Sequence, residues 1–129
     1  MGRVTGIGGV FFKAEDPDAL YAWYEKHLGM KQGVPGQGVN FVWKEDGDPE
    51  GMTVWCIFSK KTKYFEPSKQ EFMLNLRVED LDGLLEKLKE GGVWIDPKRM
   101  DEDYGRFAWI MDPEGNRIEL WEPPKASKE

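Results

Sequence analysis

Two cations stand 64 residues apart in this chain (77 − 13), Lys13 and Arg77, and a carboxylate, Glu119, lies near the far end. Cations beside a carboxylate suit two kinds of chemistry. They anchor an anionic ligand, or they stabilise an enolate while the carboxylate moves a proton. Each group also has a structural role open to it. Glu119 can neutralise Arg77 or Lys13 in a buried network, and both cations can sit solvated at strand edges. The single histidine, His27, falls in the last turn of a predicted helix, where the helix dipole favours a cation irrespective of any role as a base. The single cysteine, Cys56, cannot form an internal disulfide, which fits a reducing cytoplasm. Its alternation with Trp55 predicts that it points at the helix layer as a buried structural thiol.

The 64-residue spacing recurs. "DPEG" occurs at 48–51 and 112–115, and "EDPDAL" at 15–20 meets "EDLDGL" at 79–84. "FVW" at 41–43 meets "FAW" at 107–109 at a spacing of 66, as a longer hairpin loop in one copy would produce. An internal repeat of one supersecondary unit explains all three. In each copy an Asp caps a helix start, Asp16 before Pro17 and Asp80 before Leu81. Apolar residues follow at helical spacing: Leu20, Trp23, Tyr24 and Leu28, then Leu81, Leu84, Leu85 and Leu88. Glycine closes each helix, Gly29 and Gly91-Gly92. Strands precede the helices ("GGVFFKA", "FMLNLRV") and follow them ("VNFVWK" and "MTVWCIF"; "VWI", "GRFAWIM" and "NRIELWE"). "DPEG" is then the turn before the last strand of each copy. The expected fold is α+β: two βαβββ modules, about 4–60 and 71–123, joined by a polar connector at about 60–70.

At 129 residues the chain suits one domain with a real core. A net charge of −6 and the absence of a basic stripe argue against nucleic acid. No apolar run marks a signal peptide or a membrane span. Six tryptophans are many for this length, enough to line a pocket as well as fill a core.

The paired βαβββ grammar, "AWYEKHLGM" at 22–30 and "DPEGNRIEL" at 112–120 resemble the vicinal oxygen chelate superfamily, which includes glyoxalase I, bleomycin and fosfomycin resistance proteins and extradiol dioxygenases. The resemblance implies a cup-shaped mixed sheet with helices on its outer face. It also implies a divalent-metal site whose ligand positions fall here on Gly9, Trp55, Met73 and Glu119. Of these four residues only Glu119 offers a suitable donor, so no metal and no other cofactor is expected.

Strand alternation from those positions predicts which residues line the cup. Gly9 brings Phe11 and Lys13. Met73 brings Asn75 and Arg77. Glu119 brings Trp121, and Trp55 brings Ile57. Trp43 and Trp109, matched in the repeat, line the walls, and Tyr104 and Arg106 open a strand at its rim. An aromatic cup with a few polar groups is the usual form of a small-molecule site. One reading is a metal-free binding protein for a planar, anionic molecule. The other is a glyoxalase-like lyase or isomerase with Glu119 as general base; a regulatory domain is a third. A cytoplasmic homodimer is expected, with modules paired within one chain or swapped between two.

Overall fold

The computed structural model of the chain describes residues 2–42 and 51–124. Strand β1 (Arg3–Ala14) leads into helix α1 (Pro17–Leu28), then β2 (Val39–Val42) and β3 (Met52–Ser59). The second half runs β4 (Phe72–Glu79), α2 (Leu81–Glu90), β5 (Met100–Glu102), β6 (Gly105–Met111) and β7 (Arg117–Glu122). All seven strands form one sheet in the order β2-β3-β1-β4-β7-β6-β5. An antiparallel pair, β1 and β4, lies at its centre, and each partner is flanked by a parallel strand, β3 beside β1 and β7 beside β4. This is the mixed sheet with two helices that the family resemblance implies.

The repeat is most faithful where the helices begin. Asp16 accepts a hydrogen bond from the Ala19 N–H, and Asp80 accepts one from the Gly83 N–H, both at 3.1 Å. Donors and acceptors alike are 64 residues apart. Elsewhere the halves diverge. The stretch Val93–Ile95 forms no strand and contributes only a bridge from Ile95 to Ile110; the edge strand is Met100–Glu102 instead. Pro97, two residues on, cannot supply a ladder N–H, so pairing resumes only beyond it. Among the described residues the first half has no counterpart of β5. Helix α1 also turns differently from its expected stripe. It buries Tyr21 and leaves Trp23 and Leu28 about half exposed, whereas α2 buries Leu81 and Leu84 as its spacing predicts.

The sheet has an outer and an inner apolar layer. On the outer face α2 packs Leu81 and Leu84 against Val78, Ala108, Ile110 and Leu120. On the inner face Phe11, Met73, Phe107 and Trp109 surround Phe65, with Cys56, Phe58, Tyr64 and Trp121 packed against them. Phe65 comes from the connector between the halves, so the connector is not merely a solvated link. Phe65, Met73 and Trp109 are fully buried. Burying side chains of this size contributes about 2–3 kcal/mol each.

Register decides which face each candidate residue occupies. In the parallel pair β1–β3, Val10 lies beside Trp55 and Phe11 beside Cys56. In β4–β7, Asn75 lies beside Glu119. Phe11 faces Met73 across β1–β4 on the inner layer, so Cys56 is inner and Trp55 outer. Trp55 packs under α1, with ring centroids 4.5 Å from Tyr24 and 5.3 Å from Phe12. The expected faces of Trp55, Ile57 and Cys56 are therefore exchanged. The counterpart of Glu119 is Cys56, at a spacing of 63 (119 − 56). A strand has a period of two, so this one-residue slip moves every β3 side chain to the other face.

Candidate functional site

The inner face converges on Glu119. Its strand is positioned by the β6–β7 turn, where Asp112 accepts from the Asn116 amide and Gly115 takes a φ of 84° that favours glycine. Glu119 is 2% exposed. Asn75 Nδ2 donates to Glu119 Oε1 at 2.5 Å, and Trp109 Nε1 donates to Oε2 at 3.0 Å. The Tyr64 hydroxyl donates to the same Oε2. Burial raises the Glu119 carboxyl above its ordinary range, and the three donors and the nearby Arg117 charge act in the opposite direction without cancelling that effect. The Tyr64 phenol is pushed up as well, by its own burial and then by the Glu119 charge. Cys56, on the same face, is raised to about 11 by burial and by Glu119, so its thiol is protonated near neutral pH.

Arg117 holds this group together from below. It is 4% exposed. Its Nη1 donates to the Tyr64 carbonyl at 2.8 Å, and its Nη2 donates to Asp96 Oδ2 at 3.1 Å. The guanidinium lies 5.0 Å from the Trp109 ring centroid and 5.9 Å from that of Tyr64. Asp96 is held below the usual carboxylate range by the Lys98 backbone N–H first, and then by Arg117. Two further cations cover the aromatic layer. Lys13 Nζ stands 5.4 Å from the Phe65 centroid and Lys98 Nζ 5.5 Å from the Trp109 centroid.

Of the residues the sequence singled out, Phe11, Lys13, Met73, Asn75, Trp109, Glu119 and Trp121 share this face. Arg77 lies in register beside Trp121 at the end away from Lys13. Trp121 itself donates to the Tyr104 carbonyl and stacks on Phe107. Trp55 is absent from the face for the reason given above, and Trp43 lies outside the described residues. His27 is exposed at the end of α1 against Trp23. Gly8, bulged out of register between Ile7 and Gly9, leaves room that a Cβ would take from Asn75 Oδ1. That oxygen is buried without a hydrogen-bond partner.

Sequence reasoning missed Tyr64, Phe65, Arg117 and Lys98. Two signals were present. Tyr64-Phe65 is an aromatic pair inside an otherwise polar connector, and such a pair needs somewhere to bury. Arg117 shares the parity of Glu119 and Trp121, so alternation read backwards places it inside. A cleft of about 490 Å³ beside α1, lined by Ala14, Glu15, Asp16, Ala19, Leu20, Trp23 and Tyr24, involves none of these groups. Among the described residues no three His, Cys, Asp or Glu side chains are placed to hold a metal ion.

A family model described as the Glyoxalase/Bleomycin resistance protein/Dioxygenase superfamily matches residues 6–120. The chain belongs to that superfamily, the vicinal oxygen chelate group. Solved structures agree on the fold. Methylmalonyl-CoA epimerase from Mycobacterium tuberculosis is 24% identical, with 95% of this chain and 90% of that one aligned and a TM-score of 0.61. A Streptomyces coelicolor methylmalonyl-CoA epimerase variant in complex with 2-nitronate-propionyl-CoA is 15% identical, covering 98% and 100%, with a TM-score of 0.69. A Legionella pneumophila structure described as an NAD-dependent benzaldehyde dehydrogenase is 17% identical, covering 90% and 98%, with a TM-score of 0.59. Among the described residues no helix is long and apolar enough to cross a membrane.

Proposed function

We propose that this protein binds a small, planar, anionic organic molecule on its inner face without using a divalent metal. The observation that carries this reading is the placement of Lys13 and Lys98 over the Phe65 and Trp109 rings, with neither ammonium in an ion pair among the described residues. The chain as a whole is acidic, yet cations stand over its aromatic face. Both rings are fully buried in this form, so the two ammoniums mark where an anion is held by charge at the edge of the aromatic layer. The metal-free part of the reading rests on donor chemistry. With Cys56 replacing Trp55, the four pseudo-symmetric positions hold Gly9, Cys56, Met73 and Glu119, so at most two of them carry a donor a divalent ion takes, short of the usual three. The Glu119 oxygens already face Tyr64 O–H, Asn75 N–H and Trp109 N–H, groups that repel rather than share a cation.

The test is titration with naphthalene-2-sulfonate followed by tryptophan fluorescence and calorimetry. Lys98→Glu should weaken binding at least about tenfold, because one attractive charge becomes repulsive. Equal affinity in the variant would remove Lys98 from the site and with it the basis of the reading.

A second reading, a glyoxalase-like lyase or isomerase with Glu119 as general base, is favoured by one observation. Burial raises the Glu119 carboxyl, as it does for catalytic acids and bases. Against it, both oxygens are engaged by three side-chain donors, which suits a positioned carboxylate better than one that must reach a substrate. Retained turnover in Glu119→Gln would exclude the second reading.

The same proposal includes a cytoplasmic homodimer. It is supported by Phe41 and Val42, which are about half exposed on the edge strand β2. Light scattering at micromolar concentration tests assembly.

A further inference from the structure

Residues 61–70 are attached to the rest of the protein in an unusual way. Their own hydrogen bonds are local: Thr62 N–H to Ser59 O, Glu66 N–H to Lys63 O, Ser68 N–H to Phe65 O, Tyr64 N–H to Thr62 Oγ1 and Gln70 N–H to Ser68 Oγ. Just outside them, two bonds pin the chain to β1, Lys60 N–H to Ala14 O and Lys13 N–H to Glu71 O. Between those pins, the hydrogen bonds reaching the body among the described residues both come from Tyr64. Its hydroxyl donates to Glu119 and its carbonyl accepts from Arg117. Most flanking side chains, including Lys61, Lys63, Glu66, Lys69 and Gln70, are exposed. The segment is a preformed turn hung between two fixed ends and plugged into the inner face by Tyr64 and Phe65.

The seat that Tyr64 fills is complete for a phenol. Its ring stacks on Phe58 with an interplanar angle of 7° and a centroid distance of 5.7 Å. Trp109 meets it edge-on at 87°, and the Arg117 guanidinium lies 5.9 Å from its centroid. Its hydroxyl reaches a buried carboxylate oxygen. Stacking partner, edge partner, cation and acceptor together specify a flat aromatic ring with a hydroxyl at one end.

We propose that residues 61–70 form a displaceable strap and that Tyr64 occupies the seat of a hydroxyaryl ligand, whose ring and hydroxyl replace those of the tyrosine. The proposal rests on the reading of the inner face as a ligand site and narrows the ligand class to hydroxyaryl anions. A ligand must compete with an internal copy of itself, so its apparent affinity is reduced by the small fraction of molecules with the strap out. The strap makes the site selective as well: a ring without a hydroxyl leaves Glu119 Oε2 short of a donor that Tyr64 supplies.

The test uses the full chain with 4-hydroxybenzoate as probe and benzoate as control, by calorimetry and by hydrogen exchange read on peptides spanning 60–71. 4-Hydroxybenzoate should bind at least about tenfold more tightly than benzoate and should speed exchange in 61–70. Tyr64→Ala should bind it at least about tenfold more tightly than wild type, because nothing must be displaced. Should Tyr64→Ala not fold, Tyr64→Phe keeps the ring, drops the competing hydroxyl and should shift affinity in the same direction. Equal affinity for the two probes, or binding that leaves exchange in 61–70 unchanged or slower, would overturn the strap. Naphthalene-2-sulfonate binding sensitive to Lys98→Glu, without any 4-hydroxybenzoate binding, would overturn the strap alone. Failure of both anions would overturn the strap together with the reading beneath it.

Discussion

Tyr64 and Glu119 are 55 residues apart, one in the connector and one on a central strand, and a hydrogen bond from the phenol to the buried carboxylate joins them. The bond ties the segment between the halves to the second half, and so makes the connector part of the inner face. Tyr64→Phe keeps the ring stacked on Phe58 and removes only the donor. It should lower stability by about 1–3 kcal/mol, the range for losing one hydrogen bond to a charged or buried acceptor. Urea unfolding with an unchanged m-value would show this. A loss below about 0.5 kcal/mol would mean that Asn75 and Trp109 satisfy Glu119 without help.

The pH dependence of stability reports the state of Glu119. Its folded-state carboxyl titrates above the ordinary value near 4.5. As pH rises through that ordinary value, the unfolded chain releases its proton while the folded chain still holds one. The folded state then binds more protons, so stability falls with rising pH until the folded group ionises too. Below about pH 4.5 the contribution is fully present. Asp96 and Asp112 have lowered values and act in the opposite sense, at lower pH. Comparing wild type with Glu119→Gln isolates the one group. The advantage of wild type should be greatest in acid and should shrink as pH rises above 4.5. An advantage that grows with pH would mean that the three donors outweigh burial and hold the carboxyl down.

Arg117 and Asp96 form a buried ion pair that also carries the Tyr64 carbonyl. Arg117→Met should destabilise by about 3 kcal/mol, because it leaves Asp96 without its guanidinium and frees that carbonyl. The Asp96 side chain is 18% exposed, so water recovers part of the cost. Asp96→Asn combined with Arg117→Met should then cost less than the sum of the two changes. Strict additivity in denaturant unfolding would show that the two residues do not act as a pair.

Much of this fold could be read from spacing. The 64-residue offset located both helix caps and the central strands, because an Asp cap followed by helical periodicity is a local signal. It failed at β3, where one residue fewer separates Cys56 from Glu119 than separates Asp16 from Asp80. Nothing in the local chemistry of "TVWCIF" marks such a slip, since a strand reads equally well in either parity. The "FVW" and "FAW" match was similarly treacherous. Phe41 pairs with Thr53 and is about half exposed, whereas Phe107 pairs with Trp121 and is buried. The site was legible where alternation from Glu119 and Met73 could be followed, and hidden where a residue arrives from a connector, as Tyr64 does.

The corrected place of Trp55 has its own consequence. Its ring lies between Phe12 on β1 and Tyr21 and Tyr24 on α1, so it docks the helix on the sheet and does not meet a ligand on the inner face. Trp55→Ala should therefore cost about 3 kcal/mol through lost packing beneath α1. The milder Trp55→Phe should keep naphthalene-2-sulfonate affinity within about twofold, a difference under roughly 0.5 kcal/mol. The ligand-induced fluorescence change should persist in that variant, because it originates at Trp109 and Trp121 on the opposite face. Trp121→Phe should diminish the change instead, as its ring stacks on Phe107 at the inner surface. A fluorescence response abolished by Trp55→Phe and retained by Trp121→Phe would place the ligand on the helix side of the sheet, against α1.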